Sequence, residues 1–220
     1  MIKYLLLLFC IIFFQSCFDI VEQVFLQNNG SGNFQLMINM SKSKTKIDAI
    51  AKMKMVDGHD VPSKEEIEQK VAEIEKTLSK TAGIRNVKTN IDFENYITTL
   101  SCDFNKVINL NTALKNISDK EKSKTENIEK TYVYDVGANT FTRLNNFSLK
   151  EDYTKMSSTE KEILAAANYI SIYKFESSIV GVSNKEAKIS PSKKGVMLKQ
   201  KILDLITNKQ LIENKINLIK

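Results

Sequence analysis

The stretch Asp19-Ile20-Val21-Glu22-Gln23-Val24-Phe25-Leu26-Gln27, the turn Asn28-Asn29-Gly30-Ser31-Gly32 and the return Asn33-Phe34-Gln35-Leu36-Met37-Ile38-Asn39-Met40 decide the fold class. The first arm is rich in Ile, Val and Phe, side chains that suit a pleated, half-buried surface. The turn holds two glycines and two asparagines, which tolerate positive φ. On the return, Phe34, Leu36, Ile38 and Met40 alternate with Gln35, Met37 and Asn39. Two such runs around such a turn predict an antiparallel hairpin. Gly30-Ser31-Gly32 is no dinucleotide fingerprint, because a third glycine is missing and a strand follows where a helix would have to hold the pyrophosphate.

Downstream, helical and extended patterns alternate. Thr45-Lys46-Ile47-Asp48 opens a helix with Ile47, Ile50 and Ala51 on one face, and Asp57-Gly58-His59-Asp60 breaks it. Ser63-Lys64-Glu65-Glu66 is a capping box, and Ile67, Val71, Ile74 and Leu78 then form one apolar stripe that ends near Gly83. Val87, Ile91 and Phe93 start a second hairpin that returns through Tyr96 to Phe104. Val107, Leu110, Leu114 and Ile117 mark a third helix, and 118–130 reads as an exposed charged loop. Thr131 to Leu144 resembles a hairpin around Gly137-Ala138-Asn139. Ser157 caps a further helix, and Tyr169, Tyr173 and Phe175 share one face of a strand. Ile179–Val182 and Val196–Leu198 read as two strands joined by a turn, while Lys201–Ile206 fits a strand or a short helix. The fold expected is α+β: antiparallel β-hairpins forming a sheet packed against several amphipathic helices.

Upstream of the first strand, Met1-Ile2-Lys3 is followed by the apolar run Tyr4–Phe14 and then Gln15-Ser16-Cys17. A basic start, a short apolar run and a small residue before a cleavage point predict a signal peptide over 1–16. Eleven helical residues rise only about 16 Å, roughly half the hydrocarbon thickness of a bilayer. Phe14-Gln15-Ser16-Cys17 resembles the lipobox of bacterial lipoproteins. That resemblance implies that Cys17 becomes the first mature residue and carries a diacylglyceryl thioether and an amide-linked acyl chain such as palmitate. Several chains at about 0.8 kcal/mol per buried methylene would hold the chain to a bilayer almost permanently. The mature region expected is a single exported α+β domain over 17–220. No dense acidic tag follows Cys17, so the expected location is the cell envelope, with a lipid anchor on the periplasm-facing side of the outer membrane.

Composition narrows the chemistry further. Of the three cysteines, Cys10 leaves with the signal and Cys17 is acylated, so Cys102 has no intramolecular disulfide partner and reads as a small core residue. Removing Lys3 lowers the net charge from +6 to +5. The positive side chains are almost all Lys, with Arg85 and Arg143 the exceptions, and many lie beside acids. Nucleic acid, which favours the bidentate fork of Arg, is therefore not an expected partner. The single His59 excludes a multi-histidine metal cage, and no nucleophile-elbow or zincin motif accompanies it. A hydrolase centred on His59 is accordingly the least favoured class, and Asp48, Asp57 and Asp60 match no EF-hand spacing. No cofactor, metal site or enzyme activity is expected.

One ligand hypothesis remains. Tyr132, Tyr134, Tyr169, Tyr173 and Phe175 can line an apolar face for an acyl chain, or can be the packed face of an ordinary sheet. A lipobox followed at once by a strand, the Asn28–Phe34 hairpin, amphipathic helices and later paired strands resemble the LppM-type domain of bacterial envelope lipoproteins. The resemblance implies an α+β envelope domain that binds lipid or glycolipid, with no catalytic residues. The alternative expectation is a protein-interaction or assembly subunit of an envelope complex that works through the 118–130 loop. The expected partners are thus the bilayer, through Cys17, and a lipid or an envelope protein.

Overall fold

In a computed structural model, described over residues 18–120, 130–145 and 150–219, strands β1 (Asp19–Leu26) and β2 (Gly32–Asn39) form the expected hairpin. Gly30 sits at φ +84°, the left-handed conformation that the turn requires. Gly32 is needed for a different reason. A Cβ there would lie 2.0 Å from the carbonyl oxygen of Phe25 and 2.6 Å from the Phe104 ring. The signal peptide expected over 1–16, Cys17 and most of the expected charged loop lie outside the described residues.

After a short 3-10 turn at Ser41–Ser43 come α1 (Lys44–Ile50) and a small hairpin of β3 (Met55–Val56) and β4 (His59–Asp60). Helix α2 (Lys64–Ser79) starts on the expected capping box: Ser63 Oγ accepts from the Glu66 amide at 3.1 Å and Glu66 Oε2 from the Ser63 amide at 2.8 Å. Next are β5 (Ile84–Asp92), β6 (Ile97–Phe104), α3 (Val107–Lys120), β7 (Tyr132–Asp135) and β8 (Thr140–Arg143). They are followed by α4 (Lys150–Lys155), α5 (Ser158–Ala166, capped by Ser157), β9 (Asn168–Phe175) and β10 (Ile179–Val182). The chain closes with β11 (Lys188–Ile189), β12 (Gly195–Lys201), α6 (Ile202–Ile206) and β13 (Asn214–Leu218). Among the described residues no helix is long and apolar enough to cross a membrane.

The class is α+β, as expected, but the strands divide among three sheets. A seven-stranded sheet runs β11-β12-β9-β1-β2-β6-β5, a four-stranded sheet runs β10-β13-β8-β7, and β3-β4 stand apart. Two features depart from the hairpin reading. β1 and β9 pair in parallel, Asp19 opposite Asn168 and Leu26 opposite Phe175. β10 and β12 do not pair with each other: β12 joins β9, while β10 joins β13 in the four-stranded sheet. The turn at Ser190–Lys193 instead connects the two-residue β11 to β12. Which partner each strand takes is decided by the apolar face that it buries, a long-range outcome.

One face of the large sheet is turned inward. Val24, Phe34, Cys102, Tyr173 and Val196 lie on it, and Leu78 of α2, Leu110 of α3 and Phe141 and Ile216 of the small sheet pack onto them in one core. A second, smaller cluster gathers Ile202 and Ile206 of α6 with Phe18, Ile20, Leu164 and Tyr169 at the end of the sheet where β1 begins.

Candidate functional site

The inward face of β1 carries a charge. Glu22 is 5% exposed between Ile20 and Val24, and Arg143, 4% exposed, reaches it from β8 of the other sheet. Arg143 Nε donates to Glu22 Oε1 at 3.2 Å and Nη2 to Oε2 at 3.4 Å. Tyr173 donates its hydroxyl to Oε1 at 2.6 Å, and Tyr169 donates to Oε2. The carboxylate therefore receives four donors, close to its full acceptor capacity. Burial alone would raise the pKa of Glu22, but Arg143 and the tyrosine hydroxyls outweigh it and hold the carboxyl below its ordinary value. Burial and the carboxylate push Tyr169 and Tyr173 well above the ordinary phenol range. The guanidinium also stands 5.2 Å from the Tyr132 ring centroid, and Phe141 stacks on Tyr132 at 5.8 Å. The donors come from both sheets, Arg143 from the small one and Tyr169 and Tyr173 from the large one, so the cluster joins the two and its charges are partnered within the fold.

The surface offers something different at the far end of β1. A groove of about 550 Å³ opens between the start of α3, strand β7 and the β1–β2 turn. Val107, Ile108, Tyr132, Val133, Tyr134 and Val136 form its apolar lining. Three of these stand open to solvent, Ile108 at 59%, Val133 at 40% and Val136 at 66%. Lys106 and Lys130 complete the rim, and no carboxylate belongs to the lining among the described residues. Asn111 anchors the wall: its Nδ2 donates to the Tyr132 carbonyl at 2.7 Å and its Oδ1 accepts the Tyr132 amide at 2.9 Å. The Tyr134 hydroxyl donates to the Asn28 carbonyl at 3.2 Å, tying β7 to the turn. A groove with apolar walls, a cationic rim and no acid can hold an apolar chain that ends in an anionic head.

The five aromatic residues singled out in the sequence separate accordingly. Tyr134 lines the groove; Tyr132 borders it too, but at 1% exposure it belongs to the main core. Tyr173 and Phe175 are buried in the main core, and Tyr169 bridges the ion pair and the smaller cluster. Ile108, Val133 and Val136 escaped the sequence reading, although Ile108 lies off the Val107-Leu110-Leu114-Ile117 stripe and is apolar without a packing reason. Cys102 is 1% exposed, and burial, with the nearby Asp103 charge, pushes its thiol up to about 11. His59 is exposed on β4, opposite Val56. Among the described residues no group of three or more His, Cys, Asp and Glu could hold a metal ion.

No family model matches the chain, and no curated protein matches it. Among solved structures it is similar to the folded domain of the LppM protein of Mycobacterium tuberculosis, determined by NMR, at 11% identity and a TM-score of 0.44 over 91% of this chain and 88% of that chain. At that distance the likeness carries no argument about function.

Proposed function

We propose that this chain is a non-enzymatic envelope lipoprotein, anchored through acylated Cys17 on the periplasm-facing side of the outer membrane, whose groove between α3 and β7 takes an anionic lipid or a similar amphiphile. The observation that supports this reading is the gathering of three exposed apolar side chains with Lys106 and Lys130 around one cavity. Exposed apolar residues in a concavity are left unburied when something else is to cover them. Native mass spectrometry of the chain purified from membranes should show a lipid-sized adduct that I108D/V136D abolishes without a change in circular dichroism. No adduct on the parent chain, even after incubation with lysophosphatidylglycerol, would sink the ligand reading. The anchor is tested separately. Metabolic labelling with an alkyne fatty acid should mark the parent chain and not Cys17→Ala, and undiminished label on that variant removes Cys17 as the attachment point.

The same exposed residues support a second reading, in which an apolar side chain of an envelope protein fills the groove and the lipoprotein is an assembly subunit. Photo-crosslinking from position 136 in intact cells separates the two. A discrete protein adduct favours assembly, and a lipid adduct favours the first reading.

A further inference from the structure

Between Met40 and Val56 the chain carries Lys42, Lys44, Lys46, Lys52 and Lys54 against a single acid, Asp48. This segment leaves the large sheet at the end where β1 begins: Asn39 pairs with Asp19, Lys42 Nζ lies 3.2 Å from Asp19 Oδ2, and the Met40 amide donates to the Tyr96 carbonyl. Asp48 is held by the Tyr96 hydroxyl at 2.6 Å. Past α1 the sequence Lys52-Met53-Lys54-Met55 runs exposed into the β3–β4 hairpin, with Met53 at 52% and Met55 at 56% exposure. The returning strand places Asp60 opposite Met55, and Asp57 in the turn is hydrogen-bonded by Thr159 and Ser157. Two long, flexible apolar side chains alternating with two lysines suit the boundary between lipid headgroups and acyl chains, where the thioether chain enters and the ammonium stays among phosphates.

The position of the segment agrees with its chemistry. Strand β1 begins at Asp19, two residues after Cys17, so an anchor on Cys17 leaves almost no tether and brings this end of the sheet to the bilayer. We propose that the Lys52–Met55 segment is a membrane-contact element that seats the domain on an anionic bilayer with the start of β1 facing the lipid. The proposal rests on the anchored reading for its geometry, but the lipid surface that it names is recognised by the segment's own charge and apolar side chains.

The test places an environment-sensitive fluorophore on the full chain at Met55→Cys or at Ser192→Cys, an exposed position outside the groove in the turn at the far end of the sheet. Cys102 is buried and out of reach of the reagent, and the parent chain treated in parallel reports any label taken up by a free Cys17 thiol. The chain is bound to vesicles of phosphatidylethanolamine with a minority of phosphatidylglycerol that carry doxyl-labelled lipid. The label at 55 should shift to the blue and be quenched by the lipid-borne doxyl, while the label at 192 stays in water and is quenched by iodide. In K52E/K54E the label at 55 should return to water, and for chain lacking the acyl group partition onto these vesicles should fall on the order of tenfold or more, since each lysine near an anionic surface contributes about fivefold. Equal doxyl quenching at both positions, or a label at 55 that remains accessible to iodide, overturns the proposal. Mass analysis of the Cys17 thioether on the same sample reports the anchor independently. If it carries no acyl chain, the anchored reading fails, while adsorption with quenching at 55 still supports the contact element and absence of adsorption overturns it.

Discussion

Glu22 and Arg143 are the residues on which the two larger sheets meet. Desolvating both charges is expensive, and the geometry repays it only because four donors saturate the carboxylate and the guanidinium also donates to the Leu144 carbonyl at 2.5 Å. Removing one partner strands the other. R143M should therefore lose about 3–5 kcal/mol in urea titration, and E22L/R143M should recover part of that loss, though not all, because the Tyr169 and Tyr173 hydroxyls would have lost their acceptor. A double variant no more stable than R143M would show that the pair is not coupled. The pH dependence has a definite sign. Glu22 has a folded pKa below its ordinary 4.5, so the stability from its ionisation is fully present above 4.5 and is lost as the pH falls through the folded value. The stability gap between the parent chain and E22Q should accordingly be widest at neutral pH and narrow on acidification below 4.5. A gap independent of pH would mean that folding leaves the pKa of Glu22 unshifted, and a gap that narrowed as the pH rose would mean that its carboxyl is buried neutral.

At the scale of elements, the β1–β2 turn makes the sharpest demand on sequence. At Gly32 a methyl group would strike backbone, which cannot swing aside as a side chain can. At Gly58, by contrast, nothing lies within 4 Å and only the positive φ, +82°, is at stake. G58A should cost about 1 kcal/mol from left-handed strain alone. G32A should cost at least twice that, because β1 and β2 must separate, and equal shifts in the thermal midpoint would contradict the packing account. The elements with local signals were legible in the sequence: this turn, the Ser63 and Ser157 capping boxes, the β5–β6 and β7–β8 hairpins. What was not legible depends on contacts far along the chain. Along Ile20–Leu26 both parities hold apolar residues with one polar interruption, Glu22 on one side and Gln23 on the other, so periodicity does not choose the inward face. The parallel β1–β9 pairing and the transfer of β10 to the small sheet lie beyond any local pattern. The groove is a contact between α3 and β7, and from sequence only its tyrosines drew notice, as part of a wider aromatic stripe.

For the whole molecule, the decisive relation is between the two ends of β1. The groove opens beside the β1–β2 turn, and the Lys52–Met55 segment lies where β1 begins. Eight extended residues separate the two ends by roughly 25 Å. A domain seated on lipid by its Lys-Met segment would hold the groove well outside the headgroup layer of its own membrane. The groove would then be filled from the aqueous side, by an amphiphile handed over by another carrier or taken from an opposing surface, and not by extraction of a lipid directly beneath. Vesicles carrying the full chain and a phospholipid with a photoreactive acyl chain can decide this. Crosslinks from the host bilayer should map by peptide mass spectrometry to the Met53–Met55 region and spare Ile108, Val133 and Val136. The same probe supplied as a monomeric lysolipid from solution should label the groove residues instead. Crosslinks from the host bilayer at Val133 or Val136 would mean that the domain lies on its side, and that groove and membrane form one continuous surface.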